Sequence, residues 1–319
     1  MSHQRYILNG YLVAAVVTGM ILAVSGRGEE AMNAKTQKVV HKAMGADRWF
    51  PANPEKLQTL VDGFIGRAQV GPVSGRIVAV ISPHAGYEYS GPVAGYVFRA
   101  IRDQAKKGEA PETVVILGIS HRAAFPGVAL MDGDALQTPL GEARLDAESA
   151  GILTKSSPAI RMDYRPHNGE HSAENEVPFV QAALPDARLV VGLLGDHDSE
   201  TIDSLVAALA ELASKKKILV VASSDMLHDP DYDLVTRTDK KTLQLVAAMD
   251  TKGLLDQWSP RHQIFCGMAP VAVAMGFARD QGCKEGQVLY YRNSGDDFPE
   301  SRGQWVVGYG AVVFAAPGK

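Results

Sequence analysis

Three histidines and one aspartate stand just beyond apolar runs of the sequence, in positions where they could bind a metal or transfer a proton. They are His84, His121, Asp225 and His228. The runs that precede them lie at residues 77–81, 113–119 and 218–222. Short apolar runs favour buried strands. Ligands in open α/β sheets bind beyond the carboxyl ends of the strands, so the four side chains are candidates for a single site.

Two imidazoles with a carboxylate or thiolate form a minimal ligand set for a first-row transition metal. A catalytic metal site also keeps one position open for water or substrate. Cys266 is the natural third ligand, because it stands at the predicted start of a helix, where the positive end of the dipole favours a thiolate. The residues alone leave two interpretations open. One is a metal site, and the other is a set of separate structural histidines with a buried, inert cysteine.

Apolar strands alternate with amphipathic helices through most of the chain. A further strand is expected at residues 189–194, and helices near residues 92–107, 202–212 and 235–249. This alternation predicts one α/β domain at residues 46–319, with three α-β-α layers around a central mixed, mostly parallel sheet. The last strands, near residues 288–291 and 306–314, are the ones that we expect to run antiparallel. The fold itself is expected to begin near Arg48.

Other polar positions receive structural interpretations. His167 and His197 have polar neighbours and are expected at the surface, Cys283 is expected at the surface or in a loop, and His262 is left outside the site. Ser172 is a good N-cap for a helix that ends near residue 184, and the acidic residues of the stretch 170–176 suit a first helical turn. Capping does not account for the neighbouring histidine, His171, which is unfavourable near the positive end of a helix.

Residues 1–45 differ from the rest of the chain. Residues 11–24 are almost wholly apolar, which is typical of the hydrophobic part of a signal peptide and short for a membrane span of ~20 residues. Three interpretations stay open: an export signal cleaved after Ser25, a single-pass membrane anchor, and a leader that is not part of the protein. The third arises because Met32 follows a Gly-Glu-Glu-Ala stretch, whose codons can spell a ribosome-binding sequence. Membrane contact is expected through residues 7–25 only.

The composition and the missing motifs exclude several classes of protein. The chain has 319 residues, of which 46% are hydrophobic and 21% charged, as in ordinary globular proteins. A net charge of -4 gives no case for nucleic acid as a partner, and two cysteines make no disulfide framework. The sequence lacks a Gly-x-Ser-x-Gly elbow after a strand, a phosphate loop, and a Gly-x-Gly-x-x-Gly after its first strand. Serine hydrolases, kinases and dinucleotide-dependent oxidoreductases are therefore excluded.

Six short motifs occur in a specific order. They are Ser82-Pro83-His84-Ala85-Gly86-Tyr87, Leu117-Gly118-Ile119-Ser120-His121, Thr138-Pro139-Leu140-Gly141, Glu170-His171-Ser172-Ala173-Glu174, Ser223-Ser224-Asp225 with His228, and Cys266-Gly267. Together they resemble the Memo family, which in microbial genomes is also called AmmeMemoRadiSam system protein B. The resemblance runs from about Trp49 to Phe314 and leaves out the N-terminal segment.

The resemblance implies a fold similar to the class III extradiol ring-cleaving dioxygenases, which are non-haem iron enzymes. It implies that His84, His121 and Cys266 line the metal site, with Asp225 and His228 beside them as catalytic groups. The dioxygenases use a carboxylate as third ligand, whereas this chain has Cys266 at the matching family position. A thiolate shifts the preference toward iron, copper or zinc, of which iron is our first choice, and it puts ring cleavage itself in doubt.

The motifs also contain residues that could surround the metal, and the family resemblance bears on where the protein is located. We expect Tyr87, His171 and Glu174 to contact substrate or to support the metal ligands. The family resemblance implies a cytoplasmic protein, whereas the N-terminal segment suggests export or a membrane anchor.

Two function classes follow. In the first, the protein is a metal-dependent oxidoreductase, dioxygenase-like, that acts on a small substrate; His228 moves a proton as general acid or base and Asp225 orients it. In the second, it is a non-catalytic module that binds a peptide or another partner beside a structural or vestigial metal. Eukaryotic relatives are described as metal-binding redox proteins that also bind phosphotyrosine peptides. An assay for metal-dependent turnover separates the two classes.

Overall fold

The computed structural model describes residues 37–318. The targeting, anchor or leader segment predicted at the N-terminus, including its membrane-contacting residues 7–25, lies outside that range, apart from residues 37–45. Within residues 37–318, no helix combines the length and the apolar character needed to cross a membrane.

Strands and helices alternate as the sequence predicts. The strands are β1 (Val40–Lys42), β2 (Arg76–Ser82), β3 (Thr113–Ile119), β4 (Val128–Leu130), β5 (Ala135–Thr138), β6 (Gly141–Arg144), β7 (Ile160–Met162), β8 (Arg188–Leu194), β9 (Ile218–Ser223), β10 (His228–Asp229), β11 (Gln287–Asn293) and β12 (Val306–Ala316). The helices are α1 (Pro54–Arg67), α2 (Tyr87–Gln104), α3 (Ala147–Ser156), α4 (Val177–Ala183), α5 (Ser199–Ala213), α6 (Tyr232–Ala247), α7 (Thr251–Gln257), α8 (Met268–Asp280) and α9 (Ser294–Asp297). Single turns of 3-10 helix lie at Arg165–His167, Glu174–Glu176 and Pro299–Ser301.

One mixed sheet forms the centre of the fold. Its strands follow the order β10-β12-β2-β9-β3-β8-β4-β7, and β11 also pairs with β12. Pairing is parallel through the middle, from β2 through β9 and β3 to β8, and antiparallel where β12 joins β2, β10 and β11. Helices cover both faces, so the predicted three-layer α/β fold with a mixed sheet is confirmed.

The central strands are buried on both faces because their side chains alternate between two helical layers. On β3, Val115 and Leu117 pack against the layer that contains α3, α5 and α8, whereas Val114 and Ile116 pack against α1, α2 and α4. All four side chains are fully buried. This two-sided burial explains why the strand appears in the sequence as a continuous apolar run rather than an alternating one.

A second, smaller sheet adds structure that the sequence did not predict. Strands β1, β5 and β6 form it, with Val40 of β1 aligned with Ala135 of β5. Within residues 37–318 the first strand thus begins at Val40, ahead of the predicted start of the fold near Arg48, so that prediction is wrong. Strands of three or four residues with mixed polarity carry too little periodicity to be recognised before their pairing is known.

The starts of α1 and α4 differ in how they are capped. At α1 the side chain of Asn53 accepts a hydrogen bond from the backbone of Lys56 at 2.8 Å, and Pro54 occupies the first turn. The proposed N-cap at Ser172 is wrong. Its hydroxyl donates to the Ile119 carbonyl at 2.6 Å, and α4 begins only at Val177. The end of β3 offers that serine a buried carbonyl, which the local sequence does not reveal.

Two residues expected at the surface are buried. Only 4% of His167 is exposed, because its ring packs beside Tyr164 and its Nε2 lies 3.0 Å from the Ala129 carbonyl oxygen. Cys283 is 2% exposed and belongs to the same apolar cluster as α8. Both predictions rested on polar sequence neighbours, whereas tertiary packing determines burial.

Candidate metal centre

The three strands that carry the predicted site lie side by side in the order β2-β9-β3. Each is parallel to the next, so their carboxyl ends meet at one edge of the sheet. His84, Asp225 and His121 each stand two residues beyond the end of their strand. Equal offsets on three parallel neighbours bring the three turns together.

His84 is the buried member of the group, with 2% of its surface exposed. Its Nδ1 lies 3.0 Å from Ser223 Oγ, and its carbonyl oxygen accepts from the Asn175 side chain at 2.7 Å. Burial, together with the nearby His121 and His171, holds the pKa of His84 well below the usual 6.5. His84 is therefore a neutral imidazole at neutral pH, which is the form that binds metals.

Asp225 holds the turn that carries His84. Its Oδ1 accepts from the backbone N–H of His84 at 2.8 Å and of Ala85 at 3.2 Å. Its other oxygen, Oδ2, lies 3.9 Å from His84 Nε2. Burial raises the pKa of Asp225 to about 7, against the opposing effect of the two backbone donors. The carboxyl group thus supports the histidine and also borders the space in front of it.

His121 is supported by a carboxylate that the site prediction did not include. Glu170 Oε1 lies 2.9 Å from His121 Nδ1, and Glu170 Oε2 accepts the His121 backbone N–H at 2.8 Å. Burial would raise the pKa of Glu170, but its bonds to His121 and to the Ser172 backbone lower it to about 2. Glu170 is therefore ionised. A carboxylate behind an imidazole is the usual outer support of a metal-binding histidine.

Cys266 reaches the site from the start of α8. Its backbone N–H donates to the Asp225 carbonyl at 3.1 Å, and its Sγ lies 3.4 Å from His84 Nε2. Gly267 makes this approach feasible, because a Cβ atom there would lie 2.8 Å from the Ser223 carbonyl oxygen. One ligand atom from each of His84, His121 and Cys266 lies within 4.8 Å of the others. The predicted ligands are thus brought together; whether they bind a metal stays a prediction.

The donor set fits a transition metal. Both imidazoles have a partner at Nδ1, which leaves Nε2 of each free to face the sulfur. Burial lowers the pKa of His121, but hydrogen bonds with Cys266 and Glu170 outweigh it and raise the pKa to about 10. The position between these groups therefore attracts positive charge strongly. A metal ion that bound here would have to displace this proton.

The other three predicted site residues have mixed positions. His171 stacks on Trp49 with ring centroids 4.1 Å apart and faces the edge of His84 at 5.4 Å, so it lies beside the ligands. Tyr87 lines the cleft, but its hydroxyl donates to the Asn175 carbonyl at 2.6 Å. Glu174 accepts the Gly45 backbone N–H and holds a neighbouring loop, so the structure does not bring it to the ligands.

His228 stands on β10, at the edge of the same cleft. Its Nε2 is buried and has no hydrogen-bond partner among residues 37–318. Burial, with a contribution from His121, lowers its pKa to about 4, so the ring is neutral at neutral pH. An unpaired ring nitrogen beside a cleft is available for a proton from a bound molecule.

A cleft of about 880 Å³ opens above these side chains. Its floor contains His84, His121, His171, Asp225 and His228. Its walls contain six aromatic side chains together with the charged Asp47, Arg48 and Glu88; the aromatic residues are Trp49, Phe50, Tyr87, Tyr89, Trp305 and Tyr309. The volume and the mixture of apolar walls with a polar floor are typical of a small-molecule site.

Sequence reasoning missed three supporting residues: Glu170, Glu176 and Ser223. Glu170 and Glu176 belong to the acidic stretch that was interpreted as compensation of a helix dipole. Ser223 was noted only as part of the motif Ser223-Ser224-Asp225. A usable signal was His171, which the capping interpretation left unexplained and which lies next to Glu170 in the sequence.

Comparison with known proteins identifies the family. The sequence profile of the Memo-like protein family matches residues 41–313. A MEMO1 family protein of Methanopyrus kandleri is 31% identical over 284 residues, which cover 84% of this chain and 96% of the relative. A MEMO1 family protein of Archaeoglobus fulgidus is 33% identical over 271 residues, covering 84% and 97% respectively. Among solved structures, an uncharacterized protein of Escherichia coli K12 aligns with 75% of this chain and 99% of its own, at a TM-score of 0.47 and 12% identity. With a profile match across most of its length and relatives above 30% identity, the chain belongs to the Memo-like protein family.

Proposed function

We propose that this protein is a metal-dependent enzyme that carries out redox, dioxygenase-like chemistry on a small substrate in the cleft. The observation that carries the proposal is the convergence of ligand atoms from His84, His121 and Cys266 within 4.8 Å, beside a cleft of about 880 Å³. Two imidazoles and a thiolate suit iron, copper or zinc, and iron is our first choice. When bound, such a metal supplies Lewis-acid or redox chemistry at the floor of the cleft.

His228 is the proposed general acid or base. Its buried, unpaired Nε2 at the cleft edge supports this role, because a bound substrate would be the missing partner. With a pKa of about 4 the ring is neutral, so it can accept a proton at one nitrogen. Asp225 has a different role from the one expected. Its Oδ1 is occupied by the backbone of His84 and Ala85, so it positions His84 rather than His228.

The walls of the cleft favour a substrate with an apolar, planar body. Trp49, Tyr89 and Tyr309 present ring faces or edges that can pack on such a body. His171 stacks between Trp49 and the metal ligands, so a substrate on that wall would lie close to the donor atoms. Closure of the site by the substrate would also exclude water from the ligands.

A second candidate function is the binding of a peptide or another partner without catalysis. It is favoured by the rim of the cleft, where Trp305 is 58% exposed and Tyr89 is 37% exposed. Exposed aromatic side chains at the edge of a pocket are frequent anchors for partners. In this reading the metal is structural or vestigial.

Elemental analysis of full-length protein purified without added metal tests the proposal. We expect about one transition metal per chain in the wild type and little in Cys266→Ala and His121→Ala, because each loses one of three donors. Cys283→Ala and His262→Ala are matched controls, since both residues lie outside the ligand group. Equal metal content in the wild type and all four variants would contradict the proposed metal site.

Turnover separates the two function classes. Iron-loaded protein is tested for oxygen uptake with small reduced aromatic compounds, alongside His228→Gln. The enzyme class predicts uptake by the wild type and its loss in His228→Gln at unchanged iron content. If a peptide binds the metal-free protein and neither the wild type nor His228→Gln takes up oxygen, the protein is a binding module and not an enzyme.

A further inference from the structure

The hydroxyl group of Ser223, behind His84, has three polar neighbours. Its Oγ lies 2.5 Å from the Ser172 carbonyl oxygen, 2.9 Å from Glu176 Oε1 and 3.0 Å from His84 Nδ1. A hydroxyl offers one hydrogen and two lone pairs. It can therefore serve all three neighbours only if one of them accepts and the other two donate.

Two of the three roles are fixed by chemistry. The Ser172 carbonyl has no hydrogen to give, and two oxygens 2.5 Å apart need a hydrogen between them, so the Ser223 hydroxyl donates to it. The one hydrogen of Ser223 is then used at Ser172, so His84 Nδ1, at 3.0 Å, carries a hydrogen of its own and donates it to Ser223. This leaves Nε2 facing Cys266 Sγ at 3.4 Å, where the proposed metal would bind. The remaining lone pair of Ser223 faces Glu176.

Glu176 is itself in a place that disfavours a charge. It is 1% exposed, and its Oε2 is buried without a hydrogen-bond partner among residues 37–318. An ionised carboxylate there would leave a buried negative oxygen unpaired. Burial, reinforced by Asp225 and opposed by Ser82 and Ser223, raises the pKa of Glu176 to about 8.

We propose that Glu176 is a positioning residue for His84, and that it acts as a neutral carboxylic acid whose proton is donated to the Ser223 hydroxyl. All three directions of that hydroxyl are then filled, so it cannot rotate away from His84 Nδ1. The ring of His84 is held with Nε2 toward Cys266. The functional meaning of this arrangement rests on the proposed metal site, whereas the arrangement itself belongs to the metal-free protein.

Substitutions at Glu176 test whether Ser223 needs a hydrogen-bond donor at this position or specifically a carboxyl group. Glu176→Gln keeps the shape and supplies an amide N–H in place of the carboxyl O–H. Glu176→Leu keeps most of the volume but cannot donate, which leaves a lone pair of Ser223 unfilled. The proposal therefore expects the His84 ring to keep its position in Glu176→Gln and to lose it in Glu176→Leu.

Infrared spectroscopy and ¹⁵N NMR of the metal-free, full-length protein test the protonation directly. The difference spectrum between wild type and Glu176→Gln should show the loss of a protonated-carboxyl C=O band at neutral pH. The His84 Nδ1–H resonance should be retained in Glu176→Gln and should shift in Glu176→Leu. Asp239→Asn is the control, because Asp239 is another buried carboxyl group, bonded to Leu227 and Tyr291 instead of Ser223. Loss of carboxylate bands instead of the C=O band in Glu176→Gln would overturn the proposal.

Zinc affinity, measured by chelator competition, gives a second readout. Glu176→Gln should bind Zn²⁺ within about twofold of the wild type and Glu176→Leu about tenfold more weakly, the lower end of the range for outer-shell substitutions. Equal weakening in both variants, or none in Glu176→Leu, would contradict the proposal. If Glu176→Leu does not fold, the infrared comparison with the isosteric glutamine decides alone. If the wild type binds no Zn²⁺, the proposed metal function fails, while the infrared and NMR results still decide the role of Glu176.

Discussion

His84 and His121 occupy equivalent positions after β2 and β3, the two strands that flank β9, but their surroundings differ in almost every respect. His84 is buried, and its Nδ1 contacts a neutral hydroxyl. The side chain of His121 is 32% exposed, and its Nδ1 contacts the ionised Glu170. Burial lowers the pKa of the first, whereas Cys266 and Glu170 raise the pKa of the second to about 10. Identical backbone placement therefore does not give identical ligands, because the support behind each ring sets its affinity for protons and metals.

The largest expected effect is the separation of the two histidine titrations. In metal-free protein, ¹H–¹⁵N NMR should find His121 protonated until the pH approaches about 10 and His84 neutral down to a pH well below 6.5. Since the metal must displace the His121 proton, zinc affinity should rise with pH across this range. Glu170→Gln should lower the pKa of His121 strongly and that of His84 only slightly, because burial is the main cause of the His84 shift and Glu170 a minor one. Overlapping titrations of the two rings would contradict the expected difference between the pKa values of His84 and His121.

A smaller effect should distinguish the two supports. Glu170→Gln removes an ionised carboxylate behind His121, and we expect zinc affinity to fall about 100-fold, the upper end of the range for outer-shell groups. Ser223→Ala removes a neutral hydroxyl behind His84, and the expected loss is about tenfold. Chelator competition on both variants, with Cys283→Ala as control, measures the ratio. A larger loss for Ser223→Ala would reverse the ranking of the two supports.

A further effect, with opposite signs for Glu176 and Glu170, is the pH dependence of stability. The folded pKa of Glu176 is about 8, above its ordinary 4.5, so ionisation is unfavourable in the folded state and its contribution to stability is lost as the pH rises from 4.5 to about 8. The folded pKa of Glu170 is about 2, so its contribution is present above 4.5 and is lost as the pH falls through about 2.

Urea unfolding of the metal-free protein checks both signs. Relative to wild type, Glu176→Gln should gain stability between pH 4.5 and about 8, and the gain should be at most ~1.4 kcal/mol per pH unit. Relative to wild type, the deficit of Glu170→Gln should be largest at neutral pH and should shrink in acid. Parallel curves for wild type and Glu176→Gln would show that Glu176 does not titrate in this range.

The sequence predicted the positions of the ligands better than their surroundings. Strands β2, β3 and β9 are buried on both faces and are therefore continuous apolar runs, which made the turns at His84, His121 and Asp225 visible. The order of these strands in the sheet was an assumption, and the parallel pairing confirms it. The contacts between the individual side chains of the site could not be predicted, because the distances between them depend on the conformation of the turns.

The incorrect predictions share a physical cause. Ser172, His167 and Cys283 were interpreted from their neighbours in the sequence, whereas long-range contacts determine their positions. Ser172 donates to a carbonyl 53 residues away, and His167 contacts one that is 38 residues away. Burial of a polar residue depends on a partner from another element, and the local sequence does not contain that partner.

The spacing of the ligands along the chain has a consequence for folding. His84 and Cys266 are 182 residues apart, with the strand that carries His121 between them. Only a chain that has already joined β2, β3 and α8 can offer all three donors, so a metal ion would bind the native state and not its fragments. A ligand that binds only the native state stabilises it by mass action, by about 2.7 kcal/mol at a free concentration one hundred times the dissociation constant. The proposed metal would thus stabilise contacts of high sequence separation, and its free concentration would set the fraction of chains that are folded.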